Sequence, residues 1–243
     1  MTAPKPFELP LPRNCYGHTP ADLALMDQER ALGMVEVGHP ALLAAARDIG
    51  AAAIGSDRIL DLIEETRRIV EGKRDDPTAA QRARTLVGFA AVQAGYEERL
   101  IWIDMQVGTD NKGLSRPQWF IDPEVVDRSD EEDERREGCF STGIVRGLVS
   151  RPTTLVFKAY TADSPHKKQT VVTEGFTARI AGHEIDHPDG ILFPDRITDE
   201  RKRHIVHAEE AHLYPDHAHE WPRTMTVSQW RAYRRGLALP IAA

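Results

Sequence analysis

The order of residues predicts one domain that combines helices with antiparallel strands. Three observations carry this. The 243-residue length supplies one sizeable core and does not require two. Helical spacing recurs twice: Ile59, Leu60, Ile63 and Val70 are apolar near that period, and Phe176, Ile180, His183 and His187 fall on one face at i, i+4, i+7 and i+11. Between these lie short runs of β-branched and aromatic residues. Two of them, 153–160 and 169–173, flank a polar turn at 163–168 and read as an antiparallel pair.

Taken in order, residues 1 to about 30 hold Pro4, Pro6, Pro10, Pro12 and Pro20 and are expected to be an irregular N-terminal extension. Val35 to Pro40 leads into an Ala/Leu-rich segment over 41–53. Ser56 or Asp57 can cap a second helix over 58–70, which Gly72 can end; 73–83 is a polar connection. The small residues from Gly88 to Ala91 suggest a backbone passing very close to something. Leu100 to Met105 is a short buried strand, and Trp119 to Val126 can be another. The charge run from Asp127 to Arg136 is expected to be a solvated hairpin loop. Gly175 opens the helix that carries the two histidines, on its buried stripe, and Gly190 is placed to end it.

Beyond residue 200, His204, His207, His212, His217 and His219 are irregularly spaced and are expected to belong to a solvated tail. The tail from about 205 is expected to be dispensable for the chemistry carried by the rest of the chain. Val227 to Gly236 contains Trp230, Tyr233 and four arginine or apolar neighbours in a short basic helix, packed on the body through Trp230. Contact with RNA is the other use such a helix could have.

Composition excludes several classes. The chain is 41% hydrophobic and 28% charged, with a formal charge of −7. That balance argues against DNA or an anionic membrane as a partner. Cys15 and Cys139 form no disulfide framework, so a reducing, cytoplasmic setting is expected. Met1 to Pro12 lacks the apolar core of a secretory signal, and no apolar run reaches membrane-spanning length.

The chemistry centres on His183-Glu184-Ile185-Asp186-His187. Imidazoles four residues apart share one helix face and can bind one metal ion, with Glu184 in reach of water as a general base. Cys139, in Glu137-Gly138-Cys139-Phe140-Ser141, offers a thiolate. Two histidines and one thiolate leave a fourth position open, the arrangement of a catalytic site. A metal there would acidify water and polarise a carbonyl.

Together with Gly88-Phe89-Ala90-Ala91-Val92-Gln93, these stretches resemble the three signature motifs of peptide deformylases, GxGxAAxQ, EGCLS and HExDH. Flanking residues extend the likeness: Val35 to Pro40, Arg151-Pro152, and Gly190 to Arg196, over about 33–198 in all. The resemblance implies an α+β fold, with antiparallel or mixed sheets wrapped around a central metal-binding helix. It implies a catalytic domain over 31–200 and a C-terminal extension over 201–243. Cys139, His183 and His187 would bind the metal, typically Fe2+, with Zn2+, Ni2+ or Co2+ able to substitute. Glu184 would be the acid/base. The Gln93 amide and the Phe140 backbone N–H would stabilise the oxyanion, and Gly88 and Phe89 would lie beside the substrate. The reaction would release formate from N-formyl-methionyl nascent peptides, with ribosome contact through the C-terminal tail.

Arg151 and Asp186 are expected to pair behind the metal site. The chain departs from the family pattern at Leu86, Val92, Phe140, Gly182 and Pro188. Proline disfavours helical geometry at the preceding residue, so His187 is expected to sit at a helix end and to be displaced. Two other readings are an amidohydrolase for another N-formyl or N-acyl amine, and a non-catalytic protein of this fold that binds a partner.

Overall fold

A computed structural model describes residues 17–71, 86–106, 117–161, 163–215 and 218–237. Two antiparallel sheets flank one buried helix. The larger sheet contains β1 (Gly88–Ala90), β2 (Leu100–Asp104), β3 (Pro117–Arg128), β6 (Thr154–Thr161) and β7 (Ser164–Glu174), in that spatial order. The smaller contains β4 (Glu132–Gly138), β5 (Val145–Pro152) and β8 (Arg203–Ile205). The helix between them, Gly175–Asp186, is α3; α1 (Pro20–Ala31), α2 (Asp57–Glu71) and α4 (Val227–Tyr233) lie outside it. The sheets thus wrap a central helix, as the resemblance implied.

Local sequence explains this arrangement. β6 alternates, with Leu155, Phe157, Ala159 and Thr161 turned inward. Phe157 meets Phe120 of β3 edge-to-face at 5.1 Å between ring centroids. α3 lays Ala178, Ala181 and Ile185 on that floor. Its small residues let the helix axis approach the sheet closely. Each fully buried phenylalanine or isoleucine there contributes about 1.5–3 kcal/mol. Gly175, at φ +55°, makes the sharp turn from β7 into α3 that a side chain would oppose.

Several expectations are corrected. Residues 20–31 are helical, because Pro20 occupies the first helical turn, where its missing N–H costs nothing, and Thr19 and Asp22 form a capping box. Residues 1–16 lie outside the described residues. The 41–53 segment holds only two three-residue 3-10 turns, 40–42 and 51–53. α2 is present; the proposed end at Gly72 and the connection over 73–83 fall outside the described residues. The Asp127–Arg136 run is not a hairpin loop. It carries the chain from the end of β3 across to β4 in the other sheet, so most of its charges sit on exposed strand positions. The polar stretch 164–168 is already β7.

The largest correction concerns the tail. β8 pairs with β5, and Arg203 and His204 are almost fully buried. Arg203 donates to the carbonyls of Pro194, Ile197 and Met225. His204 Nε2 donates to the Arg201 carbonyl at 2.6 Å, while Nδ1 lies 2.7 Å from the Tyr214 hydroxyl. His207 bonds Asp22 of α1 at 2.7 Å. Met225, Trp230 and Tyr233 share one apolar cluster with Cys139, Val145 and Phe193. The tail therefore completes the core behind the Cys139 strand. His212 and His219 are exposed, as expected of a solvated segment, and His217 is outside the described residues. Among the described residues no helix is long and apolar enough to cross a membrane.

Candidate active site

The site forms where the end of β4 meets one face of α3. Cys139 follows β4 in extended backbone and leads into the 3-10 turn Phe140–Thr142. Cys139 Sγ lies 3.4 Å from His187 Nε2. Ligand atoms of Cys139, His183 and His187 all fall within 4.8 Å of one another, and all three residues are buried. This is the only such group of candidate metal-holding residues among the described residues. A soft thiolate and two imidazoles converging out of solvent fit a divalent transition metal.

Pro188 does shorten α3, which ends at Asp186. His187 nevertheless keeps helical angles, φ −56° and ψ −52°, and a 3-10 turn over His187–Asp189 continues to Gly190 at φ +70°. The Gly190 N–H closes this turn on the His187 carbonyl at 2.9 Å. The helix thus ends one residue early, as expected, and His187 still reaches Cys139.

Behind the histidines lies a buried ionic network. Arg151 donates to Asp186 at 2.9 Å, the pair expected from sequence. Arg151 also grips Glu137 with Nε at 2.6 Å and a second nitrogen at 3.0 Å. Glu137 further accepts from Arg179 at 2.7 Å and from His183 Nδ1 at 2.9 Å. Arg196 adds two bonds to Asp186. Burial alone would raise the Glu137 carboxyl; Arg151 and His183 outweigh it and hold the group well below the usual carboxylate range. An ionised Glu137 fixes the His183 tautomer, leaving Nε2 to face Cys139. Glu137, Arg179 and Arg196 were not singled out from sequence. The only signal for Arg179 was its place four residues before His183, on the same helix face.

Glu184 is buried, and its Oε2 has no hydrogen-bond partner. Burial lifts its carboxyl to about 7. The small residues of β1 explain this packing. A Cβ on Gly88 would stand 2.4 Å from Glu184 Oε1 and 2.7 Å from Ile180 Cγ2, so the close approach is to α3 itself. Gln93 is held at both ends of its amide. Its oxygen accepts from the Ala90 N–H at 2.8 Å, and its nitrogen lies 3.3 Å from both Cys139 Sγ and Ser141 Oγ. Gly182 leaves room for Arg151, whose guanidinium would be 3.2 Å from an added Cβ.

A cavity of about 200 Å³ opens beside these groups, with Leu86, Val87, Phe140, Phe176 and Ile180 among its walls and Gly88, Gln93 and Glu184 on its border. Two expectations change here. Phe176 is 39% exposed at the cavity mouth and not on a buried stripe. Phe89 points away from the cavity into a cluster with Met34, Val70 and Trp102, because successive strand residues face opposite ways.

Residues 31–203 match the polypeptide deformylase family. A peptide deformylase from Natranaerobius thermophilus is 36% identical over 127 residues, covering 52% of this chain and 72% of that protein. One from Rickettsia canadensis is 31% identical over 156 residues, covering 62% and 83%. Among solved structures, the class I type b peptide deformylase from Acinetobacter baumannii superposes with a TM-score of 0.55 at 27% identity, over 68% of this chain and 97% of that one. Its Met-Ala-Ser-bound form gives a TM-score of 0.54.

Proposed function

Because the chain belongs to the peptide deformylase family, we propose that Cys139, His183 and His187 hold its metal ion and that Glu184 moves the protons of the reaction. As a family member it is a hydrolase that removes the N-formyl group from nascent polypeptides. We take Fe2+ as the resident ion, with Zn2+, Ni2+ or Co2+ as substitutes. When bound, the ion would supply Lewis acidity, acidifying water and polarising the formyl carbonyl.

The observation that carries this reading is the buried Cys/His/His convergence with an unpartnered Glu184 oxygen beside it. Water adds its oxygen to the formyl carbon, the C–N bond breaks, and formate and a free amine leave. Glu184 takes the water's proton and returns one to the departing nitrogen. A carboxyl lifted by burial suits both transfers near neutral pH. The Gln93 amide nitrogen, locked by Ala90, is one oxyanion donor. The Phe140 N–H is the other; it starts a 3-10 turn, where no preceding helical carbonyl faces it. We place the substrate main chain beside Gly88, which borders the cavity. Glu137 and Arg151 keep His183 and Asp186 in place.

We place the reaction in the cytoplasm. For contact with the ribosome we propose the exposed side of α4 and the turn after it, with Arg231 and Arg235; Trp230 and Tyr233 are turned inward.

The test is formate release from formyl-Met-Ala-Ser by the purified chain, with metal analysis of the same sample. One metal per chain and formate release are expected. Bound metal without formate from this peptide would favour another formylated amine as substrate, and no bound metal would reject the site.

A further inference from the structure

We propose that Arg179 sets side-chain selectivity in the cavity beside the metal site, favouring a first residue whose side chain ends in an oxygen acceptor over an apolar one of equal length. This rests on the deformylase reading above. With the formyl group at the Cys/His/His cluster, the side chain of the formylated residue has this cavity to enter.

Leu86, Val87, Phe140, Phe176 and Ile180 form the apolar part of the cavity wall, and Arg179 lies among the polar groups that complete it. It stands one helical turn before His183 on the same face, about 6 Å along the axis. That is near the reach of a methionine-length side chain. Two of its nitrogens are committed within the protein: to Glu137 and the Val149 carbonyl, and to the Asp133 carbonyl. Nε has no protein acceptor among the described residues.

Among the ion-paired groups behind the cavity guanidinium groups outnumber carboxylates, while Glu137 and Glu184 also line the cavity. Two carboxylates, Glu137 and Asp186, are shared by Arg151, Arg179 and Arg196. Arg136 also borders the cavity. The buried guanidinium of Arg179 stays charged, because arginine does not deprotonate in proteins. An apolar side chain entering the cavity would displace water from this donor and return nothing. A thioether is only a weak acceptor. A sulfoxide or carboxylate oxygen would replace the lost hydrogen bond with a charge-assisted one. Oxidised methionine and glutamate share that chemistry at similar reach.

The experiment compares holoenzyme turnover of four peptides, formyl-X-Ala-Ser with X methionine, methionine sulfoxide, glutamate or norleucine. The sulfoxide or glutamate peptide is expected to exceed norleucine by about tenfold or more in kcat/KM, carried by KM. A preference for glutamate over sulfoxide identifies a carboxylate ligand, and the reverse identifies the oxidised thioether; both support the role of Arg179. A ratio of one or less overturns it. In Arg179→Leu the preference should vanish, and its persistence in a folded variant would also overturn the proposal. Arg179 bonds Glu137, so that variant can misfold. Calorimetry on the wild type then decides, with the deformylated sulfoxide, glutamate and norleucine tripeptides as probes. Tighter binding of the sulfoxide or glutamate tripeptide supports the proposal, and equal or weaker binding of both refutes it. Discrimination in binding with no formate from any peptide would sink the deformylase reading and leave the selectivity of Arg179 standing.

Discussion

Replacing Trp230 by alanine tests whether the C-terminal segment is part of the core. Trp230 lies beyond the stretch that matches the family, yet it is 1% exposed and packs with Val145, Phe193 and Tyr233 in the cluster that also contains Cys139. Truncating a buried tryptophan costs about 3–5 kcal/mol through lost burial and a residual cavity. The lost Nε1 bond to Asp195, 2.7 Å long, adds little, because Asp195 still accepts from Arg234 and from the Leu192 N–H. For a chain of this size each kcal/mol lowers Tm by about 2–4 °C, so a drop of about 6–20 °C is expected. Thermal and urea unfolding of the metal-loaded protein measure it. A Tm within about 2 °C of wild type would mean that the segment is a detachable appendage and that its packing is not part of the folded core.

Four other outcomes follow from the site and its surroundings. Glu184→Gln is nearly isosteric and should retain metal while losing about 10²–10⁴-fold in turnover; turnover within a few-fold of wild type would exclude Glu184 as the proton carrier. Cys139→Ala should lose most of its metal on dialysis, and full occupancy by elemental analysis would remove Cys139 from the ligand set. Gly88→Ala sets a methyl against Glu184 Oε1, so formate release should fall further than Tm does; unchanged kinetics would show that β1 can retreat from α3 at no cost. Asp22 is desolvated, but the Thr19 and Ala208 N–H groups and His207 more than offset this and lower its pKa. Its contribution is therefore complete above the unfolded value of about 3.9 and is lost as pH falls through the lower folded one. Asp22→Asn should lower stability at pH 7 and flatten the acid limb of a Tm–pH curve, and parallel curves would refute the sign.

What could be read from the sequence divides along a physical line. The His-Glu-x-x-His face, Cys139 and the Arg151–Asp186 pair were legible, because residue type and helical period together restrict them. Strands β2, β3, β6 and β7 were legible from β-branched and aromatic runs, although their ends were not, since polar residues extend strands at exposed edges. The packing of α4 through Trp230 was legible, but residues 20–30 and 203–207 were misread for one reason: charge, histidine and proline were taken as marks of solvent. Arg203 and His204 are buried because main-chain carbonyls and the Tyr214 hydroxyl satisfy them, and Pro20 begins a helix because its position forgives the missing N–H. Glu137 stood inside a recognised motif, but its three partners come from β5 and α3, positions 14, 42 and 46 residues further on. No local pattern announces such a contact. The same long-range closure links the two extensions, since α1 bonds His207 and Ala208 through Asp22 while Trp230 and Tyr233 seal the cluster behind Cys139. The segment that carries Cys139 is thus braced from one side by the ionic network and from the other by segments outside the stretch that matches the family. Loosening either brace should reach the same Cys139.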